Sequence, residues 1–193
     1  FMENVQRAAE FAEKVNKPEV WTMLGKAYLD AYQVNEAIEA FLKAQDSTYY
    51  LDVINAAQNE QKWEVLHNFL EMARKTRKDT TIDSELLFGL AKMGRLADIE
   101  TFIATPSSAD YQRVGEKCFQ NRLFEAAKIL FNKIKSNSRI ASCLVHLKQY
   151  PQAIEAAKKA NNTKTWKEVA LACIAAGEFK LAAVAGQSII IHP

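Results

Sequence analysis

Apolar positions recur along this chain in a fixed frame that returns six times. Aligned on Val34, Trp63, Leu96, Phe124, Tyr150 and Phe179, the copies are spaced 29, 33, 28, 26 and 29 residues apart. Ten residues before each anchor stands an aliphatic: Leu24, Val53, Leu86, Val114, Ile140 and Val169. Six before stand Tyr28, Ala57, Leu90, Cys118, Leu144 and Cys173. Three after stand Ala37, Leu66, Ile99, Ala127, Ala153 and Ala182, and six after Ala40, Phe69, Phe102, Leu130, Ala156 and Ala185. A partial seventh copy starts at Val5, with Ala8, Phe11 and Ala12 in step. The separations of three, four and seven are helical, and strand-type alternation does not persist anywhere. Each copy is therefore expected to be a helical hairpin whose second helix starts near its anchor. A unit of this size cannot bury its own apolar face, so units stack and share a core. The fold expected is all-α: a right-handed α-solenoid of stacked antiparallel helical hairpins.

Local signals mark where the helices begin. Gly94 and Gly177 each lie two residues before an anchor, where hairpins turn. Pro151 follows anchor Tyr150, and the first turn is where a helix tolerates proline. Asn16-Lys17-Pro18-Glu19 predicts an N-cap at Asn16, and Thr165-Trp166-Lys167-Glu168 reads as a capping box. Asp83 or Ser84, and Ser108 or Asp110, are expected to cap two more helices. The longest interval contains the polar stretch Thr76–Glu85, expected to form an enlarged surface loop.

Composition narrows the functional classes. No apolar stretch reaches the ~18–20 residues needed to span a membrane, so no membrane insertion is expected. The unbroken register predicts one solenoid segment over residues 1–193, a fragment of a longer array, because neither end carries a polar capping helix. Cys118, Cys143 and Cys173 fall at or beside one inner column and are expected to be buried free thiols, as in a reducing, cytosolic compartment. No Cys lies at metal spacing from another Cys or from His67, His146 or His192, so no metal site is expected. The phosphate-loop, nucleophile-elbow and metalloprotease motifs are all missing. No catalytic residue and no cofactor is predicted, and the protein is expected not to be an enzyme.

The net charge of +2 hides an asymmetry. Residues 1–96 carry 12 basic and 15 acidic side chains, whereas residues 97–193 carry 13 and 8. Within Lys133–Lys167 eight basic residues face one acid, Glu155, which favours an acidic partner. Aromatics interleaved for stacking on bases are lacking there, so no nucleic acid is expected.

Two family resemblances are present. Trp21, Leu24, Gly25 and Tyr28, followed by Ala37, Phe41 and Ala44, are similar to the tetratricopeptide pattern, but in this unit alone. This leaves an alternative reading as a tetratricopeptide-like adaptor that holds peptide segments. The second resemblance spans nearly the whole chain. AAEFAEKVNKPEVW, VINAAQNEQKWEVLHNFLEMARK, SELLFGLAKMGRLADIETFI, QRVGEKCF with FEAAKILF, and RIASCLVHLKQYPQAIEAAKKANNTKTWKEV resemble, in order, the clathrin heavy-chain repeat around the knee and the start of the proximal leg. The match departs at Ser138, where the family usually has Gly, and over Ser188–Pro193.

That second resemblance implies a structural component of a clathrin coat. The implied role is a leg segment that packs into the polyhedral lattice on transport vesicles and supports light-chain binding in membrane trafficking and endocytosis. The implied partners are the clathrin light chain and neighbouring heavy-chain legs. The implied location is cytoplasmic, on the cytoplasmic face of coated pits and coated vesicles. The fragment itself is expected to be monomeric; trimerisation of the full-length chain is implied by the resemblance.

The candidate partner-binding residues are two groups of cations. Arg74, Lys75, Arg77 and Lys78 lie where a second helix should end. Cations there complement the helix dipole, yet Arg77 and Lys78 run beyond what capping needs, and the resemblance places basic knee residues for an acidic light chain in this stretch. Lys158, Lys159, Lys164 and Lys167 cluster at a hairpin junction, either as solvated helix-end charges or as part of a basic stripe facing a light chain or a neighbouring leg. Trp21, Trp63 and Trp166, at helix starts, are expected to pack in the core, with an exposed partner anchor as the alternative.

Overall fold

A computed structural model describes residues 2–191, with side chains described over 6–189. His192 and Pro193, and the side chain of the first frame residue Val5, lie outside the described residues. The described residues form thirteen α-helices and no strand. They divide into two compact units, one of residues 1–93 with 107–109, the other of 94–106 with 110–193. The first holds α1 (Met2–Val15), α2 (Pro18–Asp30), α3 (Val34–Ala44), α4 (Tyr50–Asn59), α5 (Trp63–Thr76) and α6 (Thr80–Lys92). The second holds α7 (Leu96–Ala104), α8 (Tyr111–Gln120), α9 (Phe124–Lys133), α10 (Asn137–His146), α11 (Tyr150–Ala160), α12 (Thr163–Ala175) and α13 (Phe179–Ile191).

Every anchor is the first residue of its helix. The turn before it has one conformation throughout. The residue two before the anchor is left-handed in all six copies: Tyr32, Gln61, Gly94, Arg122, Lys148 and Gly177, with φ of 57, 58, 71, 60, 59 and 77°. Only two of these are glycine, the residue that enters this region without a steric cost. In five of the six copies the geometry is held by a backbone bond from the next residue to a carbonyl five positions back. Gln33 N–H donates to Tyr28, Lys62 to Ala57, Leu123 to Cys118, Gln149 to Leu144 and Glu178 to Cys173, at 2.8–2.9 Å. This is the wider bond of a Schellman cap, and it satisfies carbonyls that the helix end leaves open. A second left-handed column lies eleven residues after the anchor, at Gln45, Lys135 and Asn161. Asn16 (φ 46°) falls in the same column when counted from Val5, so the backbone keeps the partial copy in register.

The columns ten before and three and six after the anchor supply most of the core, whereas the anchors themselves range from 2% exposed at Val34 to 69% at Phe179. Among residues ten before the anchor, exposure runs from 0% at Val53 and Val169 to 9% at Ile140. Ala37, Ile99, Ala127, Ala153, Phe69, Leu130 and Ala185 are fully buried. A further column emerges in three dimensions. Gly25 and Gly115, nine before their anchors, sit against the rings of Phe41 and Phe131, seven after them. A Cβ on either glycine would lie 2.9 Å and 2.8 Å from the facing ring carbon. Elsewhere the same two columns pair Ala141 with Ala157, both 0% exposed. The Gly–Phe pairs therefore let those two hairpins close by trading volume across one layer, whereas another copy fills the same columns with Ile54 and Leu70.

Several expected helix starts move. Asp79, rather than Asp83 or Ser84, caps α6 by accepting from Thr81 N–H at 2.6 Å. Asp83 and Ser84 are buried inside that helix. Asn162, rather than Thr165, caps α12 and accepts from Thr165 N–H at 2.9 Å. Lys17 stands at the N-cap of α2 with no side-chain bond, while the left-handed Asn16 accepts from Trp21 Nε1 at 3.1 Å. Asp110, as one of the two expectations there, caps α8. The enlarged loop Thr76–Glu85 is absent. The long interval is taken up by α5, which runs 14 residues where α3 runs 11, leaving only residues 77–79 between α5 and α6. The polar composition misled because Asp83 and Glu85 are consumed by tertiary bonds within a helix. Trp21 and Trp166 are buried at 6% and 2% exposure. Trp63 is half-buried, edge-on to Phe88 at 5.6 Å between centroids.

Candidate interaction surface

In the first unit the four cations at the end of α5 part into two roles. Arg74 Nε pairs with Asp83 Oδ1 at 2.8 Å, and the Asp83 side chain is only 7% exposed. Asp83 also accepts from Ser108 N–H at 2.7 Å and from Ser108 Oγ at 3.0 Å. This carboxylate thereby bolts the segment 107–109 to α5 and α6. Its three bonds explain why a charge is tolerated in an apolar setting. Arg77, the C-cap of α5, donates from Nε to Ser47 Oγ at 3.1 Å and lies over the Tyr50 ring at 5.6 Å. Tyr50 OH donates to Asp79 Oδ2 at 3.1 Å. Arg74 thereby ties α5 to α6, while the exposed Arg77 adds a bond from the end of α5 to the connection between α3 and α4.

Local carboxylates answer to the same network. Burial pushes the Asp46 carboxyl up, but hydrogen bonds from Thr48 and Thr22, with the Arg77 charge, outweigh it and hold it below the usual range. Asp79 is likewise lowered, chiefly by the Thr81 N–H it caps. Lys75 and Lys78 are exposed and make no ion pair among the described residues. Arg77 is exposed as well, so three of the four cations of the expected cluster reach solvent.

In the second unit Lys158, Lys159, Lys164 and Lys167 are all exposed and gathered at one junction. Lys158 and Lys159 end α11, where the dipole favours cations. Lys158 Nζ reaches Glu155 Oε1 at 2.7 Å, an exposed pair of little energetic weight. Lys159 stands on the rim of an open groove of about 600 Å³ between α9, α10 and α11, with Ile140, Leu144 and Ala156 in its lining. Lys164 is different. It sits in the first turn of α12, which has no acidic residue, so it faces the positive end of the dipole. Helix stability does not account for a lysine there, since a cation at that end costs roughly 0.3–1 kcal/mol.

Sequence reasoning passed over the bonds that run between hairpins. Arg139 forms a two-pronged pair with Glu116, with Nε to Oε1 at 2.8 Å, and its guanidinium lies over Phe119 at 4.2 Å. Gln58 Nε2 donates to Glu85 Oε2 across the preceding hairpins. The signal was present: Glu116 stands eight before its anchor, and Arg139 and Glu85 eleven before theirs. These polar columns flank the apolar ones.

Among the described residues no cluster of three or more His, Cys, Asp or Glu could hold a metal ion. Cys118, Cys143 and Cys173 are free and buried. Burial pushes the Cys143 thiol up to about 12 and raises Cys173 as well. Both are packing groups without nucleophilic character at neutral pH. No helix among the described residues is long and apolar enough to cross a membrane.

Comparison with known proteins identifies the family. Residues 41–181 match a family model described as a region in clathrin and VPS. The chain is 51% identical to a clathrin heavy chain of Dictyostelium discoideum over 98% of its own length, and 45% identical to that of Drosophila melanogaster over the same share. It is 42% identical to clathrin heavy chain 2 of Homo sapiens, again over 98%. It spans 11% of the first two relatives and 12% of the third. Among solved structures, the TPR2AB-domain:pHSP90-complex of yeast Sti1 aligns at a TM-score of 0.37 and 19% identity over 89% of each chain, a loose resemblance.

Proposed function

The chain belongs to the clathrin repeat family and corresponds to a region of clathrin heavy chains; from that premise we propose that it serves as a structural leg segment of a clathrin coat. Residues 1–193 are read as one stretch of a longer repeat array, since the apolar frame keeps its columns on both sides of Met93. Its partners are neighbouring heavy-chain legs and an acidic light chain. Its place is the cytoplasmic face of coated pits and vesicles. Its role is read as structural and not catalytic, in keeping with its membership of the clathrin heavy-chain repeat family. The observation that carries this reading is the 51% identity to a clathrin heavy chain over 98% of the chain, joined to hairpins that share apolar columns. Many weak lateral contacts along such a segment give avidity to a lattice that must also come apart.

Within the light-chain reading, Lys75 and Lys78 are the contacts in the first unit, and Lys159, Lys164 and Lys167 those in the second. Arg74 and Arg77 act only by holding the surface in place. The test is a titration of purified light chain onto a heavy-chain leg carrying Lys75→Glu with Lys78→Glu. Affinity should fall about tenfold at low salt, the difference narrowing as ionic strength rises, because exposed charges are screened over ~10 Å at 0.1 M. Equal affinity of the wild-type and reversed legs at both salt concentrations refutes the assignment. A second leg with Arg77→Ala should lose thermal stability instead, which separates holding from binding.

A further inference from the structure

The first unit carries an open groove of about 630 Å³ between α2 and α4 that the coat reading does not use. This is ordinary size for a ligand cleft. Its floor includes Leu29 and Ala56, and its walls carry Lys26, Asp30, Tyr32, Tyr49, Asp52 and Glu60. Three carboxylates thus face one ammonium. Asp30, Asp52 and Glu60 are exposed and make no ion pair among the described residues. Lys26 Nζ lies over the Tyr49 ring, 5.4 Å from its centroid. Tyr32 is 85% exposed, although it occupies a left-handed turn position that tyrosine rarely adopts.

The repeat register supplies an internal comparison. Lys26 stands eight before its anchor, and Asp52 eleven before the next. These are the columns of Glu116 and Arg139, which in the second unit close on each other as a two-pronged ion pair. In the first unit the same two positions hold opposite charges in swapped order and stay open, with the lysine turned onto an aromatic ring. The site that is sealed in one unit is left with a negative surplus and an exposed aromatic lip in the other.

We propose that this groove binds a short extended peptide segment of a partner protein, carrying arginine or lysine beside an aliphatic or aromatic residue. The apolar residue packs on Leu29, Ala56 and the Tyr32 ring. The cation enters between Asp30, Asp52 and Glu60. Guanidinium suits this setting because it stacks on tyrosine while bonding carboxylate. Lys26 is the built-in competitor for those carboxylates, so its removal strengthens binding. An acidic peptide is excluded by the same charges.

The test uses the whole 193-residue chain and a fluorescein-labelled peptide centred on Leu-Arg-Tyr-Lys, with Leu-Glu-Tyr-Glu as its counterpart, read by fluorescence anisotropy. The cationic peptide should bind saturably and the anionic one should not. Asp30→Asn with Asp52→Asn should weaken binding about fivefold at low salt, and Lys26→Gln should tighten it about twofold, in keeping with exposed pairs. Glu36→Gln with Glu39→Gln, which removes exposed carboxylates of α3 outside the groove, should leave it unchanged. All of these side chains are exposed, so circular dichroism should be the same for every variant. Equal binding of both peptides, or equal weakening by the α3 pair, would reduce the effect to general electrostatics and overturn the proposal. So would concentration-dependent self-association abolished by Asp30→Asn with Asp52→Asn, which would put a second copy of the chain in the groove.

Discussion

Replacing Gly115 by alanine should destabilise the protein, while the same replacement at Gly89 should stabilise it. Both glycines lie inside helices, α8 and α6, so in both an alanine gains about 0.8–1.0 kcal/mol of helix propensity. What differs is the neighbour. A Cβ on Gly89 would meet nothing within 4 Å, so the propensity gain should stand alone. A Cβ on Gly115 would lie 2.8, 3.0 and 3.2 Å from three carbons of the Phe131 ring, against ordinary carbon contacts of ~3.5–4.0 Å. Phe131 is 0% exposed and cannot swing into solvent. Overpacking of this kind costs ~1–3 kcal/mol, so the net loss at Gly115 should be roughly 0–2 kcal/mol after the propensity gain is subtracted. Phe131→Leu, which removes the offending ring carbons, should be destabilising by itself. In its background Gly115→Ala should become neutral or favourable. The coupling in that double-mutant cycle should reach about 1 kcal/mol or more. Denaturant midpoints at constant slope, followed by circular dichroism, measure all four proteins. The reasoning fails if Gly115→Ala and Gly89→Ala move the midpoint in the same direction. It fails too if the cost at Gly115 is unchanged once Phe131 is leucine.

Asp83→Ala should cost about 2–4 kcal/mol, because it strands the Arg74 guanidinium and the Ser108 donors that it holds; Ser108→Ala should cost far less, and thermal melts of the two will tell. Asp79 has a carboxyl lowered in the fold below its usual 3.8, so the stability it adds is present above about pH 4 and lost as pH falls through the folded value. Asparagine keeps the cap bond without the titration, so Asp79→Asn should flatten the acid limb of stability against pH; an unaltered limb would remove Asp79 from the acid response. Cys143, pushed up to about 12 and buried, should be silent to Ellman's reagent at pH 8 in the native protein and react fully in denaturant. Fast native reaction would mean that the α10 layer opens.

The helices, and the start of the second helix of each hairpin, were legible in the sequence because they follow from local spacing. An apolar residue at every three or four positions forces a helix with one buried face, and a repeat of that face forces stacking. All six anchors were placed at the first residue of a helix for this reason. The cap residues were less legible. Ser84 and Thr165 carry the right chemistry for an N-cap, but so do Asp79 and Asn162 a few residues earlier. The choice depends on where the preceding helix lets go, and α5 ran three residues longer than its counterpart α3. The candidate cations were found as a cluster, yet the sequence could not divide it. Arg74 and Arg77 are spent on Asp83 and Ser47, partners nine and thirty residues away in sequence, while Lys75 and Lys78 between and beside them stay in water.

The sequence by itself determined that this chain is a repeat of helical hairpins, with the register of its core and the family it resembles, because periodicity is a one-dimensional property that folding preserves. Tertiary structure alone decided that Arg74 and Arg77 bond to Asp83 and Ser47 while Lys75 and Lys78 make no ion pair among the described residues. It also decided that Gly25 and Gly115 exist to seat Phe41 and Phe131, and that the columns of Glu116 and Arg139 close in one unit while those of Lys26 and Asp52 stay open in the other. The physical reason is common to all three. Each is settled by a distance of a few ångströms between residues more than a helix apart, and such a distance is a property of packing that no local pattern encodes.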